Sequence, residues 1–217
     1  METILTAIPL DLSRRRRNLG LTGGSIWLVT SGTAFAAFSL VMVRSRVATT
    51  LLVTISALAA VLIVIGISML RALLQLQDDP SLARPSQGRR LGRQFGTIVA
   101  VEGLALTAAT LVCVFTHRWA WIAPLDLILV GLHFLPLARL FDVPRYNVTG
   151  AFFCGIPIVT MLLIPPTGQL GEALSWFVIP SVSCGFVAAI TAMAGFREVG
   201  HFLRGSRPNV QESLSRI

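Results

Sequence analysis

Long apolar runs broken by short polar stretches organise this chain. Six runs stand out, at about 23–43, 47–70, 96–116, 120–140, 148–164 and 173–195. Each falls within the roughly 17–25 residues an α-helix needs to cross a bilayer core about 30 Å thick. The pattern predicts an all-α fold: a polytopic membrane helix bundle of six transmembrane helices. Residues 1–21 read as a cytoplasmic, Arg-rich N-terminus, 22–195 as the transmembrane domain and 196–217 as a cytoplasmic polar tail.

The polar breaks carry their own information. Arg14, Arg15, Arg16 and Arg17 precede the first run. That run is long enough to span, and no small-residue cleavage site follows it, so it reads as an uncleaved signal anchor. The arginine pair fits a twin-arginine signal poorly in its flanks. The longest break, Gln75 to Arg93, holds Asp78, Asp79, Pro80, Pro85 and Gly88. Shorter turns hold Pro144 and Arg145, then Pro165, Pro166 and Gly168.

Arginine placement orients the bundle. An even number of spans puts both termini on one side. That side collects fifteen Arg, and the other has only Arg44, Arg46 and Arg118. The positive-inside rule then predicts that both termini are cytoplasmic. Trp119, Trp121 and Trp176 fall at the expected outer ends and Tyr146 at an inner end, depths that amphipathic rings favour.

Composition narrows the chemistry. Of the 217 residues, 54% are hydrophobic and 13% charged, about half the charged fraction of a typical globular protein. The net charge of +8 belongs to cytoplasmic flanks that can meet anionic lipid headgroups, and not to a nucleic-acid surface. All eighteen basic residues are Arg. Without Lys there is no Schiff base to a cofactor and no P-loop lysine. An Arg-only, Ala/Val/Leu-rich composition is also associated with GC-rich bacterial genomes. Cys113, Cys154 and Cys184 lie inside apolar runs with no metal-ligand spacing, and read as small hydrophobes. No metal site and no cofactor are expected.

Helix association in lipid relies on small residues that permit close approach. The first run offers Gly32 and Ala36, and the sixth offers Gly185 and Ala189. Helices 1 and 6 are therefore expected at the centre. The second run, bulky and branched nearly all round, is expected to face lipid. Pro136, Pro157 and Pro180 lie inside the last three runs, and each frees a carbonyl four residues earlier. They predict kinks, which in some membrane proteins line a binding site.

Few ionisable residues lie within the runs: Glu102 in the third, Asp126 and His133 in the fourth. In hydrocarbon each needs a partner or a cavity. At 1.5 Å per residue, Glu102 lies about 9 Å from the inner end of its run and His133 about 10 Å from the same end. Consecutive antiparallel helices on a short loop are neighbours, so a direct or water-mediated Glu102–His133 contact is expected. Asp126, two turns before His133, shares its helix face. The three could form a proton or ion pathway, or could clamp two helices together.

The stretch Gly131-Leu132-His133-Phe134-Leu135-Pro136-Leu137-Ala138-Arg139, with Pro144-Arg145-Tyr146-Asn147-Val148-Thr149-Gly150 and the upstream Glu102-Gly103, resembles a motif of small bacterial integral membrane proteins of no assigned activity. The resemblance covers about residues 90–150. It implies a bacterial multi-pass protein, hence the inner membrane, and no particular activity. The functional expectation is a proton- or ion-linked small-solute transporter or channel. The alternatives are a non-catalytic accessory or scaffolding protein and an intramembrane lipid-modifying enzyme. The last lacks a convincing nucleophile or metal cluster. Six spans enclose only a narrow crevice, so a channel would need a homo-oligomer.

Overall fold

A backbone in hydrocarbon must satisfy its own hydrogen bonds, and within one apolar segment only a helix does so. The computed structural model, which describes residues 8–75, 85–170 and 172–205, is correspondingly all-helical. Its helices are α1 (Ile8–Val43), α2 (Arg46–Gln75), α3 (Pro85–Phe115), α4 (Ile122–Phe141), α5 (Arg145–Leu163) and α6 (Ser175–Gly205). A 3-10 turn, Trp119–Trp121, leads into α4, and a hairpin of two-residue strands pairs Gln169 with Leu174 and Leu170 with Ala173. Six helical segments are long and apolar enough to cross a membrane: Arg17–Val43, Arg46–Gln75, Gly92–Phe115, Trp119–Phe141, Arg145–Leu163 and Ser175–Arg204.

The helices overrun the apolar runs. α1 begins at Ile8, ahead of the arginine block, and α6 continues to Gly205 instead of yielding to a polar tail at 196. Arg and Glu are good helix formers, so a polar flank need not end a helix. His201, within the expected polar tail, is thus helical. α3 starts at Pro85, inside the expected polar break, where proline's fixed φ suits a first turn. Asp78, Asp79 and Pro80, like residues 1–7 and 206–217, lie outside the described residues. α4, α5 and α6 each run on through Pro136, Pro157 and Pro180. Pro157 and Pro180 are fully buried and Pro136 is exposed.

Helices α1 and α6 make the closest pair. A Cβ added to Gly32 would lie 2.8 Å from the Ala188 Cβ and 3.4 Å from the Gly185 Cα. One added to Gly185 would lie 3.1 Å from the Gly32 carbonyl oxygen and 3.2 Å from the Ala36 Cβ. Here the absence of side chains lets two backbones touch, which gains dispersion contacts that lipid tails cannot supply. A second crossing joins α4 to α5, where a Cβ on Gly131 would stand 2.9 Å from the Gly150 carbonyl oxygen. Phe134 packs between the two helices, its ring centroid 5.6 Å from Phe153 and 5.8 Å from Tyr146.

The outer helices are sparsely covered. α2 buries only Ala48, Ala59, Leu62, Gly66 and Leu73. α3 is barer still: Val101, Leu104, Val112 and Phe115 are all exposed, and it packs chiefly against α4. Two of the aromatics expected at interfacial depth sit at helix ends and are covered by protein. Trp176 is buried, its indole N–H donating to the Ile164 carbonyl at 2.7 Å, and Tyr146 is buried against α1.

Each end of the bundle has an ionic contact. At the proximal end, where α1 begins and α6 finishes, Arg17 of α1 pairs with Glu198 of α6 at 2.9 Å, and Arg145 of α5 pairs with the other Glu198 oxygen. At the distal end, exposed Arg44 pairs with Glu172 at 3.1 Å.

Candidate functional site: the polar seam between α3 and α4

The seam is built by heptad-like spacing on two antiparallel helices. On α3, positions 95, 102 and 110 recur every two turns, and positions 141, 133 and 126 answer them on α4. Residues seven or eight apart share a helix face, so the pairs stack in register. Phe95 meets Phe141 edge-on, centroids 5.9 Å apart, at the proximal end. Next, Glu102 Oε2 lies 3.1 Å from His133 Nδ1. Further towards the distal end, Thr110 faces the Asp126 carboxylate, with buried Cys113 near by.

The Glu102–His133 contact is nearly closed off: the side chains are 8% and 5% exposed. Yet it lacks the in-line geometry of a hydrogen bond, and His133 Nδ1 is left without a hydrogen-bond partner. Asp126 Oδ1 is also buried with no partner. Asp126 makes no ion pair with Arg118, which is exposed. Buried polar groups are nearly always satisfied. His133 Nδ1 and Asp126 Oδ1 nonetheless have no protein partner, as is also true of Tyr146 Oη and Ser181 Oγ elsewhere in the bundle.

Along the helix axis, His133 and Asp126 are separated by about 11 Å. Proton transfer needs partners about 3 Å apart, or one bridging water. The seam thus holds two side-chain stations, a Glu–His pair and an Asp beside Thr110, too far apart for direct transfer between them. Among the described residues, no three His, Cys, Asp or Glu side chains gather as metal ligands. His117 and His201 are exposed at opposite ends.

Sequence reasoning overlooked Thr110, although it lies two turns from Glu102 on the same face. It also overlooked the proximal cluster, because Arg17, Arg145 and Glu198 sit in flanks that read as solvent-facing. Only the fold joins three helices there. Comparison of the chain with protein-family models, with curated proteins and with solved structures finds no match, so the site is read from its own chemistry.

Proposed function

We propose that this chain is a multi-pass protein of a bacterial inner membrane, with both termini cytoplasmic, that moves a proton or small cation coupled to a small solute. The orientation rests on fifteen Arg against three and on the positive-inside rule. The alternation of ends supports it: the Arg44–Glu172 contact links two loops of the Arg-poor side, while Arg17, Arg145 and Glu198 meet on the Arg-rich side.

The observation that carries the transport reading is the incomplete satisfaction of the α3–α4 seam. A clamp serving stability alone gains nothing from a misaligned Glu–His pair and an Asp oxygen without a partner. A site that binds and releases protons needs groups with spare hydrogen-bonding capacity. With two stations about 11 Å apart, the seam suits a carrier whose helices shift as the stations change protonation, more than an open channel.

The sparse packing of α3 favours a second reading, a non-catalytic accessory protein in which the same contacts merely hold α3 in place. Proton flux into liposomes containing the purified protein separates the two. The carrier reading expects flux under an imposed membrane potential that is lost in Glu102→Gln and Asp126→Asn. Flux equal to that of protein-free vesicles, or unchanged in both variants, would refute it.

A further inference from the structure

The face of α5 turned away from α4 carries an open groove of about 790 Å³ between α5 and α6. Asn147, Ala151, Phe152, Gly155, Val159 and Thr160 line it, with Ile179 of α6 on its far wall. Small side chains at 151 and 155 form its floor. From Asn147 to Thr160 it rises about 20 Å, somewhat more than the roughly 15 Å of hydrocarbon in one leaflet. Apart from Asn147 and Thr160 the lining is apolar.

A cationic cluster stands just past the proximal end of this groove, outside its lining. Arg145 opens α5 two residues before Asn147, and it joins Arg17 on a single carboxylate, Glu198. Two guanidiniums bring ten N–H donors, whereas one carboxylate offers about four lone-pair sites. Among the described residues, the cluster therefore carries one more positive than negative charge and donors to spare. Arg17 Nε is buried with no partner, and all three side chains remain partly open, at 40% for Arg17, 26% for Arg145 and 33% for Glu198.

We propose that this groove binds one anionic phospholipid, its acyl chain along α5 and its phosphate at the Arg17–Glu198–Arg145 cluster. Charge selects the occupant, because an apolar groove that ends in a net-positive guanidinium pair complements a chain that ends in phosphate. Phosphate is the group that planar, forked Arg donors match best. A bound lipid here would tie α1, α5 and α6 together at one end. The inference depends only on the chain crossing a membrane, and stands or falls separately from proton movement at the α3–α4 seam.

The test uses the full-length protein, purified in detergent, stripped of lipid and titrated with phosphatidylglycerol, phosphatidylcholine or inorganic phosphate. Bound lipid is counted by native mass spectrometry, and stabilisation is read as a rise in melting temperature. Gly155→Leu is the informative variant: a Cβ at Gly155 meets nothing within 4 Å, so the side chain fits and fills the groove. Ala151→Leu fills the same groove if the first variant folds poorly. One phosphatidylglycerol should bind, with at least fivefold weaker affinity in the groove-filling variant and in Arg145→Gln. A smaller loss in either, equal binding of phosphatidylcholine, or equal stabilisation by inorganic phosphate alone would overturn the proposal.

Discussion

Replacing Glu102 by Gln distinguishes chemistry from architecture at the α3–α4 seam. The amide keeps the length and volume of the carboxyl side chain and can still contact His133, but it cannot titrate. The structural cost is bounded by what such contacts contribute. Interhelical polar pairs in membranes average about 0.6 kcal/mol and reach about 1.7 kcal/mol. Here the 3.1 Å contact is not in line, which places it towards the lower figure. Glu102→Gln should thus change the unfolding equilibrium by less than about tenfold. Glu102→Leu leaves His133 Nδ1 buried with no polar neighbour and should cost more, about 1–3 kcal/mol. Adding His133→Leu should recover part of that loss, since no polar atom is then stranded. Reversible unfolding in detergent, followed by the fluorescence of the four Trp, measures each step. Proton flux in liposomes measures the function in parallel. The expected outcome is a Glu102→Gln protein of near-native stability that moves no protons. A protein that conducts as well as the parent would refute the functional argument. A stability loss above about 3 kcal/mol for this near-isosteric change would refute the structural one.

Three further outcomes are expected. Gly185→Leu should destabilise the bundle by about 1–3 kcal/mol or more through overpacking, because its Cβ already stands 3.1 Å from the Gly32 carbonyl oxygen. Gly103→Leu, where a Cβ meets nothing within 4 Å, should fall within about 0.5 kcal/mol of the parent, and equal losses in the two would disprove the assignment of the α1–α6 crossing. Alkaline phosphatase fused in a bacterial host after Arg118 or Glu172 should be active, and after Asp142 or Ile217 inactive; activity at Asp142 would invert or break the proposed topology. Thr110→Val should weaken the distal station by about 0.6 kcal/mol, read as a small drop in melting temperature that disappears in an Asp126→Leu background.

The fold was legible where hydrocarbon dictates the answer. Apolar length alone marks six helices, because a backbone in lipid has no other local solution. The small residues at 32, 36, 185 and 189 also pointed to the α1–α6 pair, since close approach demands them. Helix ends were not legible, because the sequence signal is the apolar run and not the helix. Arg17 and Glu198 extend their helices beyond it while making ion pairs. The Gly131–Gly150 crossing was hidden inside the motif stretch, where no small-xxx-small spacing exposes it. For the seam, equal depth on consecutive antiparallel helices brings Glu102 and His133 together. Depth arithmetic cannot supply the angle of approach, nor the juxtaposition of Thr110 with Asp126, because both depend on how the two helices rotate about their axes.

The different ways the helices are attached bear on which of them can move. α1 is locked to α6, and α4 to α5, by backbone contacts at Gly32, Gly185, Gly131 and Gly150; such crossings cannot slide without steric conflict. On α3, Gly92, Gly96 and Gly103 face open space, so none of them brings α3 close to a neighbour. Among the described residues, its polar attachments are the two stations, which together supply about 1–3 kcal/mol at the usual value of such contacts. A displaced state that loses only these polar contacts is populated at roughly 1–15%, where a ligand or a proton can redistribute conformers. Both stations contain titratable groups, so a change in protonation acts on the very contacts that hold the helix. Weakening them in Glu102→Leu/Asp126→Leu should therefore speed backbone amide exchange along α3 by tenfold or more while leaving α1 and α6 unchanged. Uniform acceleration across all six helices would mean that α3 is bound into the bundle as firmly as the rest, and that the seam cannot serve as a moving part.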